Sequence, residues 1–493
     1  MRRLGFICAM LALAALSFAI GRTTRRTHVA PATGAALRVP GIVVICLDTL
    51  RADALASDAD GEGLAAVRAW AGGATTFTDA IAPSSWTLPS VASLLTGLHP
   101  TGHGVVNVTA DARLAASVPT LASMFRDAGW VTAACTGGGW VSPDVGLGQG
   151  FATFHVDFDR RPPAQAIVRF ARETDPRRPF FLFIHSYGAH DPYGDKTPMF
   201  TGPCAESDPS LADALATSVA ARQPIEGSLR DRFVRAYLGE SCAHAALTAR
   251  LGHANASNLW LEDCRAWADG GWRNEPTGPE TRDALRRAYR RGLSALDARM
   301  RELLDAIDAL PPETVVIVTG DHGEGFGEHG PLHHGRYLFR EFVHVPLLVR
   351  APGLPAGGTV TSPCSLVDLA PTCLELAGLA MPRSMDGTSL VAAARGAPSD
   401  RRVRSVVAPG EAAAGGAEVR RRRVAVRDAT IAWIGTFDVS TLTWVEEHWF
   451  DRVDGVEGPP RPTAPAASAA LLDEVAQARS DLERRYRGVV ADR

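Results

Sequence analysis

Apolar runs of strand length set the rhythm of the first two thirds of the chain. They cover Gly41–Leu47, which ends at Asp48, and residues 130–135, 179–185 and 314–319. None alternates polar with apolar positions, the pattern of strands buried on both faces of a sheet. Ahead of the last run, Leu285, Tyr289, Leu293, Leu296, Met300, Leu303, Leu304 and Ile307 recur at helical spacing and predict a helix over about residues 282–310 with one buried stripe. Buried strands alternating with helices predict an α/β fold with a mostly parallel central sheet flanked by helices. Such sheets bind ligands beyond the carboxyl ends of their strands. That rule picks out Asp48, residues 135–139, residues 185–190 and the pair Asp321 and His322.

The same rhythm divides the chain. It predicts a catalytic domain over residues 38–375, interrupted by an arrhythmic insertion or cap at about 201–279, and a smaller C-terminal α+β subdomain over 376–457. Residues 458–493 start Pro/Ala-rich and end in a charged stretch, a linker followed by a terminal helix. At the other end, Arg2 and Arg3 precede a charge-free apolar run over residues 4–20, with Arg22, Arg25 and Arg26 after it. This is export grammar: residues 1–27 read as a signal peptide or an N-terminal anchor that would tether the protein to a membrane. The expected location is the periplasm or the cell envelope.

Composition narrows the class. With 493 residues, 46% hydrophobic and 21% charged, the chain can build a large core, and disorder and coiled coil are excluded. A net charge of -3 leaves no electrostatic footprint for nucleic acid. Lys196 is the only lysine in the chain. Of the cysteines, Cys204, Cys242 and Cys264 could pair among themselves and Cys364 with Cys373, but spacing does not decide it.

The chemistry concentrates in a few segments. Residues 82–97 read Ala-Pro-Ser-Ser-Trp-Thr-Leu-Pro-Ser-Val-Ala-Ser-Leu-Leu-Thr-Gly, with Pro89 suited to a first helical turn. A hydroxyl at Thr87 would meet the unpaired N–H groups of that turn, a setting for an anion and an activated nucleophile, although an isolated Thr-x-Pro more often caps its helix. Asp48 closes the first strand, and Thr319-Gly320-Asp321-His322-Gly323-Glu324 follows a later one. Two carboxylates and a histidine from separate strand ends form a ligand set for one divalent cation.

Taken together these segments resemble the sulfatase family of the alkaline phosphatase-like superfamily. The resemblance covers residues 40–390 and implies the superfamily's α/β fold with a smaller C-terminal α+β subdomain. It implies Asp48, Asp321, His322 and the Thr87 oxygen as metal ligands, and His190, His334 and His103 as contacts to the transferred group beside the nucleophile Thr87. Calcium or magnesium fits an oxygen-rich site, and His322 admits manganese or zinc. The implied partner is a small anionic ester: a sulfated or phosphorylated glycan, lipid or aryl ester.

The chain also departs from the family. Sulfatases carry formylglycine, made from cysteine or serine, where Thr87 stands. Val91 replaces an arginine of the signature, Thr49 a frequent metal-binding aspartate, and residues 136–140 offer no lysine or histidine. Threonine is the nucleophile in superfamily relatives that transfer phosphoryl groups. The expected function is hydrolysis of sulfate or phosphate esters. The alternatives are a phospho-group transferase acting on envelope lipid or glycan, and a catalytically weakened binding protein.

Overall fold

A computed structural model of the chain describes residues 39–491, except 57–62, 107–111, 174, 176–177, 191–192, 194–209, 211–213, 215–216, 218–278, 331, 408–410, 413–417, 420, 454–455, 462 and 465–468. The apolar run 4–20, Lys196, Cys204, Cys242, Cys264 and nearly all of the 201–279 insertion fall outside the described residues. Among the described residues no helix is long and apolar enough to cross a membrane.

The central sheet contains β1 (Gly41–Leu47), β2 (Thr75–Ile81), β3 (Val131–Cys135), β4 (Thr153–His155), β5 (Phe180–Ser186) and β6 (Val315–Gly320). A two-stranded ribbon, β7 (Gly325–Phe326) and β8 (Leu332–His333), stands beyond β6, and β9 (His344–Arg350), β10 (Thr359–Val360) and β11 (Cys364–Ser365) return to the sheet. Its order is β10-β2-β9-β6-β1-β5-β3-β4, with β11 also on β2. Only β9 runs against its neighbours. The mostly parallel sheet and the flanking helices match the expected α/β class.

Both faces of the sheet are covered. Ile42, Val44 and Cys46 point into a core with helix α2 (Thr87–Thr96), α3 (Leu121–Asp127) and α6 (Leu369–Leu376), whereas Val43, Ile45 and Leu47 pack against α1 (Ala65–Ala71), α4 (Ala164–Glu173) and α5 (Pro279–Ile307). This two-sided burial is why β1 reads as a continuous apolar run. The expected helix at 282–310 is α5, shifted by three residues at each end.

Helix α2 is buried along its whole length, and its polar side chains are bonded internally. Ser90 Oγ donates to the Asp321 carbonyl at 2.6 Å, and Thr96 Oγ1 donates to the Ala92 carbonyl at 2.7 Å. His103, on the short turn that follows, accepts from the Val105 amide at its Nδ1, so its Nε2 carries the proton and donates to Ser93 Oγ at 2.9 Å. The helix ends where Gly97 adopts φ 69, the left-handed cap that glycine allows.

The C-terminal sheet follows the order β12 (Val403–Val407), β15 (Arg421–Arg427), β16 (Ile431–Asp438), β17 (Thr443–Val453) and β18 (Val456–Glu457), antiparallel throughout, with a separate ribbon of β13 (Glu411–Ala412) and β14 (Glu418–Val419). A terminal helix α7 (Ala469–Ala491) packs Leu471, Val475, Ala478 and Leu482 on it. Buried charge joins the two sheets. Asp79 of β2 accepts from Arg452 of β17 at 2.7 and 2.9 Å and from Arg340 at 3.3 Å. Cys364 and Cys373 are free, buried thiols, so the pairing open to them is not made; one lies on β11 and the other on α6.

Two stability outcomes follow from this packing. Asp79→Ala leaves Arg452 buried without its carboxylate and should cost about 3–5 kcal/mol in urea unfolding. Burial pushes His103 down from 6.5 to about 3, so the folded state holds it neutral while the unfolded chain takes up a proton. A folded pKa below the unfolded one means stability falls as pH drops from the unfolded value toward the folded one. Between pH 7 and pH 5 His103 should account for a loss of about 2 kcal/mol, absent in His103→Gln when the same unfolding curves are compared.

Candidate metal and nucleophile centre

The centre is built at the carboxyl ends of adjacent strands. β1 and β6 are paired parallel with Leu47 opposite Gly320, so Asp48 and Asp321 leave the sheet side by side. On the other side of β1, Cys46 pairs with His185 of β5. Asp48, His185, Asp321 and His322 are all fully buried, and Thr87 is 2% exposed. Oxygen or nitrogen atoms of Asp48, His185 and Asp321 all lie within 4.8 Å of one another.

Local bonds aim these groups inward. Thr49 takes a left-handed φ of 56, rare for a β-branched residue, and its amide donates to Asp321 Oδ1 at 3.2 Å. The His322 amide donates to the same oxygen at 2.7 Å. Among the described residues Asp321 Oδ2 and Asp48 Oδ1 have no hydrogen-bond partner, nor do the two His185 nitrogens. His322 Nδ1 lies 2.9 Å from the Gly323 carbonyl and can bond to it only as a donor, which leaves the Nε2 lone pair facing Asp48 Oδ1 at 3.5 Å and Asp321 Oδ2 at 3.6 Å. His185 Nε2 is 3.4 Å from Asp48 Oδ2.

Electrostatics in this buried space demand positive charge. Burial, then the neighbouring Asp48, pushes the Asp321 carboxyl well above the usual range. Burial also pushes Asp48 upward, but the facing imidazoles of His185, His190 and His322 outweigh it and hold Asp48 low. Burial and His334 push His322 down to about 3, which keeps its imidazole neutral and able to donate a lone pair. Two convergent carboxylates, two inward imidazoles and orphaned buried oxygens fit a divalent cation.

Thr87 is the first residue of α2, and the cap position is Trp86, with φ -140 and ψ 142. The Thr87 hydroxyl therefore does not cap the helix. Its Oγ1 donates to Asp48 Oδ2 at 3.2 Å and stands 3.3 Å from His322 Nε2. His334 lies tilted against His322 with ring centroids 4.6 Å apart, and His190 lies 4.9 Å from His334. The loop carrying His334 comes this close because Gly335, at φ 86, has no Cβ; one would lie 2.1 Å from the Trp86 ring.

The structure thus brings together Asp48, Thr87, His190, Asp321, His322 and His334. It does not bring His103 to them: that ring is bonded on the second turn of α2, six residues beyond Thr87. Two residues were given no role from the sequence. His185 lies within the strand end picked out at residues 185–190, and its polar side chain closing an apolar run was its signal. Glu324, buried within the Asp321 loop, pairs with His334 Nδ1 at 3.2 Å and accepts from Tyr193 at 3.1 Å.

Comparison with known proteins places this geometry in a family. Mouse arylsulfatase K is 38% identical over 109 residues, 22% of this chain and 20% of that protein. The low-salt glycan biosynthesis sulfotransferase Agl7 of Haloferax volcanii is 34% identical over 160 residues, 30% of this chain and 39% of that protein. The matched stretches thus span a fifth to two fifths of these relatives. Among solved structures, BT4656 in complex with its substrate D-glucosamine-2-N,6-O-disulfate aligns at a TM-score of 0.59 and 19% identity, over 91% of this chain and 98% of that one. The phosphonate monoester hydrolase of Silicibacter pomeroyi aligns at 0.57 and 20%, over 91% and 95%. At these identities the structures establish a shared fold, and the family model described as Sulfatase matches residues 40–379, well over half of the chain. The chain belongs to the sulfatase family.

Proposed function

We propose that the protein is a metal-dependent hydrolase of anionic esters in which Thr87 is the nucleophile. The observation that carries this reading is the Thr87 hydroxyl at the start of a buried helix, 3.2 Å from Asp48 Oδ2 and 3.3 Å from His322 Nε2. Asp48, Asp321, His322 and the Thr87 oxygen, with His185, would hold one divalent cation, which when bound would polarise the hydroxyl and neutralise charge on the transferred group. Two imidazoles in that set favour zinc or manganese over calcium or magnesium.

The chain's own residues account for the remaining chemistry. The hydroxyl proton has its acceptor at Asp48 Oδ2, to which it already points. Oγ1 then bonds to the central phosphorus or sulfur while the bond to the leaving alcohol breaks. His190 and His334 steady the outer oxygens and return a proton to that alcohol. Water cleaves the threonine ester in a second step. Phosphorus is the better substrate atom. Oxidation of threonine, a secondary alcohol, yields a ketone and not the formylglycine aldehyde that lets sulfatases expel sulfate. BT4656 and the Silicibacter enzyme, named for a sulfated and a phosphonate substrate, support an anionic ester.

A second reading rests on the Haloferax relative, which is named a sulfotransferase. In that case an acceptor alcohol replaces water in the second step. The export grammar of residues 4–20 supports action on an envelope lipid or glycan.

Purified protein should hydrolyse an aryl phosphate or phosphonate ester, with turnover falling on the order of 10³-fold in Thr87→Ala and 10²-fold in His334→Ala. Activity surviving in Thr87→Ala would remove the nucleophile assignment, and aryl sulfate turnover that Thr87→Ala abolishes would reverse the preference for phosphorus. Product transferred to added glycerol in place of water would select the transferase. Elemental analysis should find one divalent cation per chain, lost in Asp321→Asn; full retention in that variant would refute the ligand set.

A further inference from the structure

Five rings form a connected series beside the buried centre. Trp86 meets Trp140 edge to face with centroids 6.4 Å apart, and Trp86 lies 5.4 Å from His334. His334 is 4.9 Å from His190, and His190 is 5.6 Å from Tyr187. The Tyr187 hydroxyl donates to the Gly138 carbonyl at 3.0 Å, two residues before Trp140, which closes the circuit. The five rings are partly exposed, whereas Asp48, Asp321 and Thr87 are buried, and the collar meets them through His334, 4.6 Å from His322, and through Trp86, next to Thr87 in the chain.

The collar is built by local sequence. Residues 137–139 are all glycine, and a Cβ on Gly137 would lie 2.5 Å from the Tyr187 ring and 2.2 Å from Asp159 Oδ2. The loop can therefore lie flat on Tyr187 and deliver Trp140 beside Trp86. No member of the collar carries a permanent charge. The Trp86 Nε1–H is buried and has no hydrogen-bond partner among the described residues, which leaves a donor within the collar.

We propose that this collar is the leaving-group subsite, with Trp140 and Trp86 as specificity-determining residues for esters whose alcohol half is a ring. An aryl plane or the CH-rich face of a pyranose stacks on the indoles, while the anion sits below at Thr87. The inference rests on the reading of Thr87 as the point of ester attack. It explains the composition of this mouth: selection comes from shape and stacking, not from the charge of lysines.

The test uses full-length Thr87→Ala protein, in which bound ester persists, with calorimetric titration of phenyl phosphate, glucose 6-phosphate and methyl phosphate. At least one ring ester should bind about tenfold more tightly than methyl phosphate, and that preference should vanish in Thr87→Ala/Trp140→Ala but survive in Thr87→Ala/Trp140→Phe. The tighter of the two ring esters identifies the alcohol as aryl or sugar. Equal binding of ring and methyl esters, or a preference that persists without Trp140, overturns the collar while leaving Thr87 in place. Binding of none of them overturns the Thr87 reading and this inference together. Thermal unfolding of the Trp140→Phe protein at the parent temperature certifies that the loop is intact.

Discussion

Two carboxylates held side by side and buried from solvent are the constraint on which this molecule depends. The parallel register that sets Leu47 opposite Gly320 forces Asp48 and Asp321 into one buried space. Their repulsion is costly there, because low dielectric strengthens it and removes hydration. The surroundings answer with positive potential and lone pairs: amides of Thr49 and His322 on Asp321, imidazoles of His185 and His322, and the first turn of α2. The left-handed backbone at Thr49 is the strain that this arrangement sustains, and Tyr289 of α5 steadies it by bonding to the Thr49 carbonyl at 3.0 Å.

The C-terminal sheet gives the centre its rigidity. Ser405 Oγ and the Val406 amide of β12 donate to the carbonyls of Ala82 and Pro83, at 2.7 and 2.8 Å, just before Trp86 and Thr87. Arg423 and Arg427 of β15 donate to the carbonyls of Arg336 and Leu338, just after His334. One sheet thereby fixes both loops that meet over Asp48 and Asp321. Arginine suits the task because its planar fork bonds in several fixed directions at once, which a lysine ammonium does not.

Legibility followed burial. β1, β3, β5 and β6 lie within a residue or two of the apolar runs that announced them, since strands covered on both faces need no polar positions. β2 was not legible: Thr-Thr-Phe-Thr-Asp-Ala-Ile mixes classes because Asp79 is a buried anchor for Arg452. β9 carries Pro346, a residue that argues against a strand. His185 looked like a polar end to a core strand, and only the pairing of β5 with β1 turns it toward Asp48. His103 looked like a site histidine, and the Val105 amide and Ser93 hold it on the helix instead.

The sequence by itself determined the fold class, the family segments and the identities of Asp48, Thr87, Asp321 and His322, because each sits at the end of a locally readable element. Tertiary structure alone decided which groups converge. Glu324 behind His334, His185 beside Asp48 and the circuit from Trp86 to Trp140 join residues from ten to more than a hundred positions apart, and no local periodicity records such distances. Strand order and loop bracing create these neighbours, and the sequence carries them only as isolated polar or aromatic residues whose partners lie elsewhere in the chain.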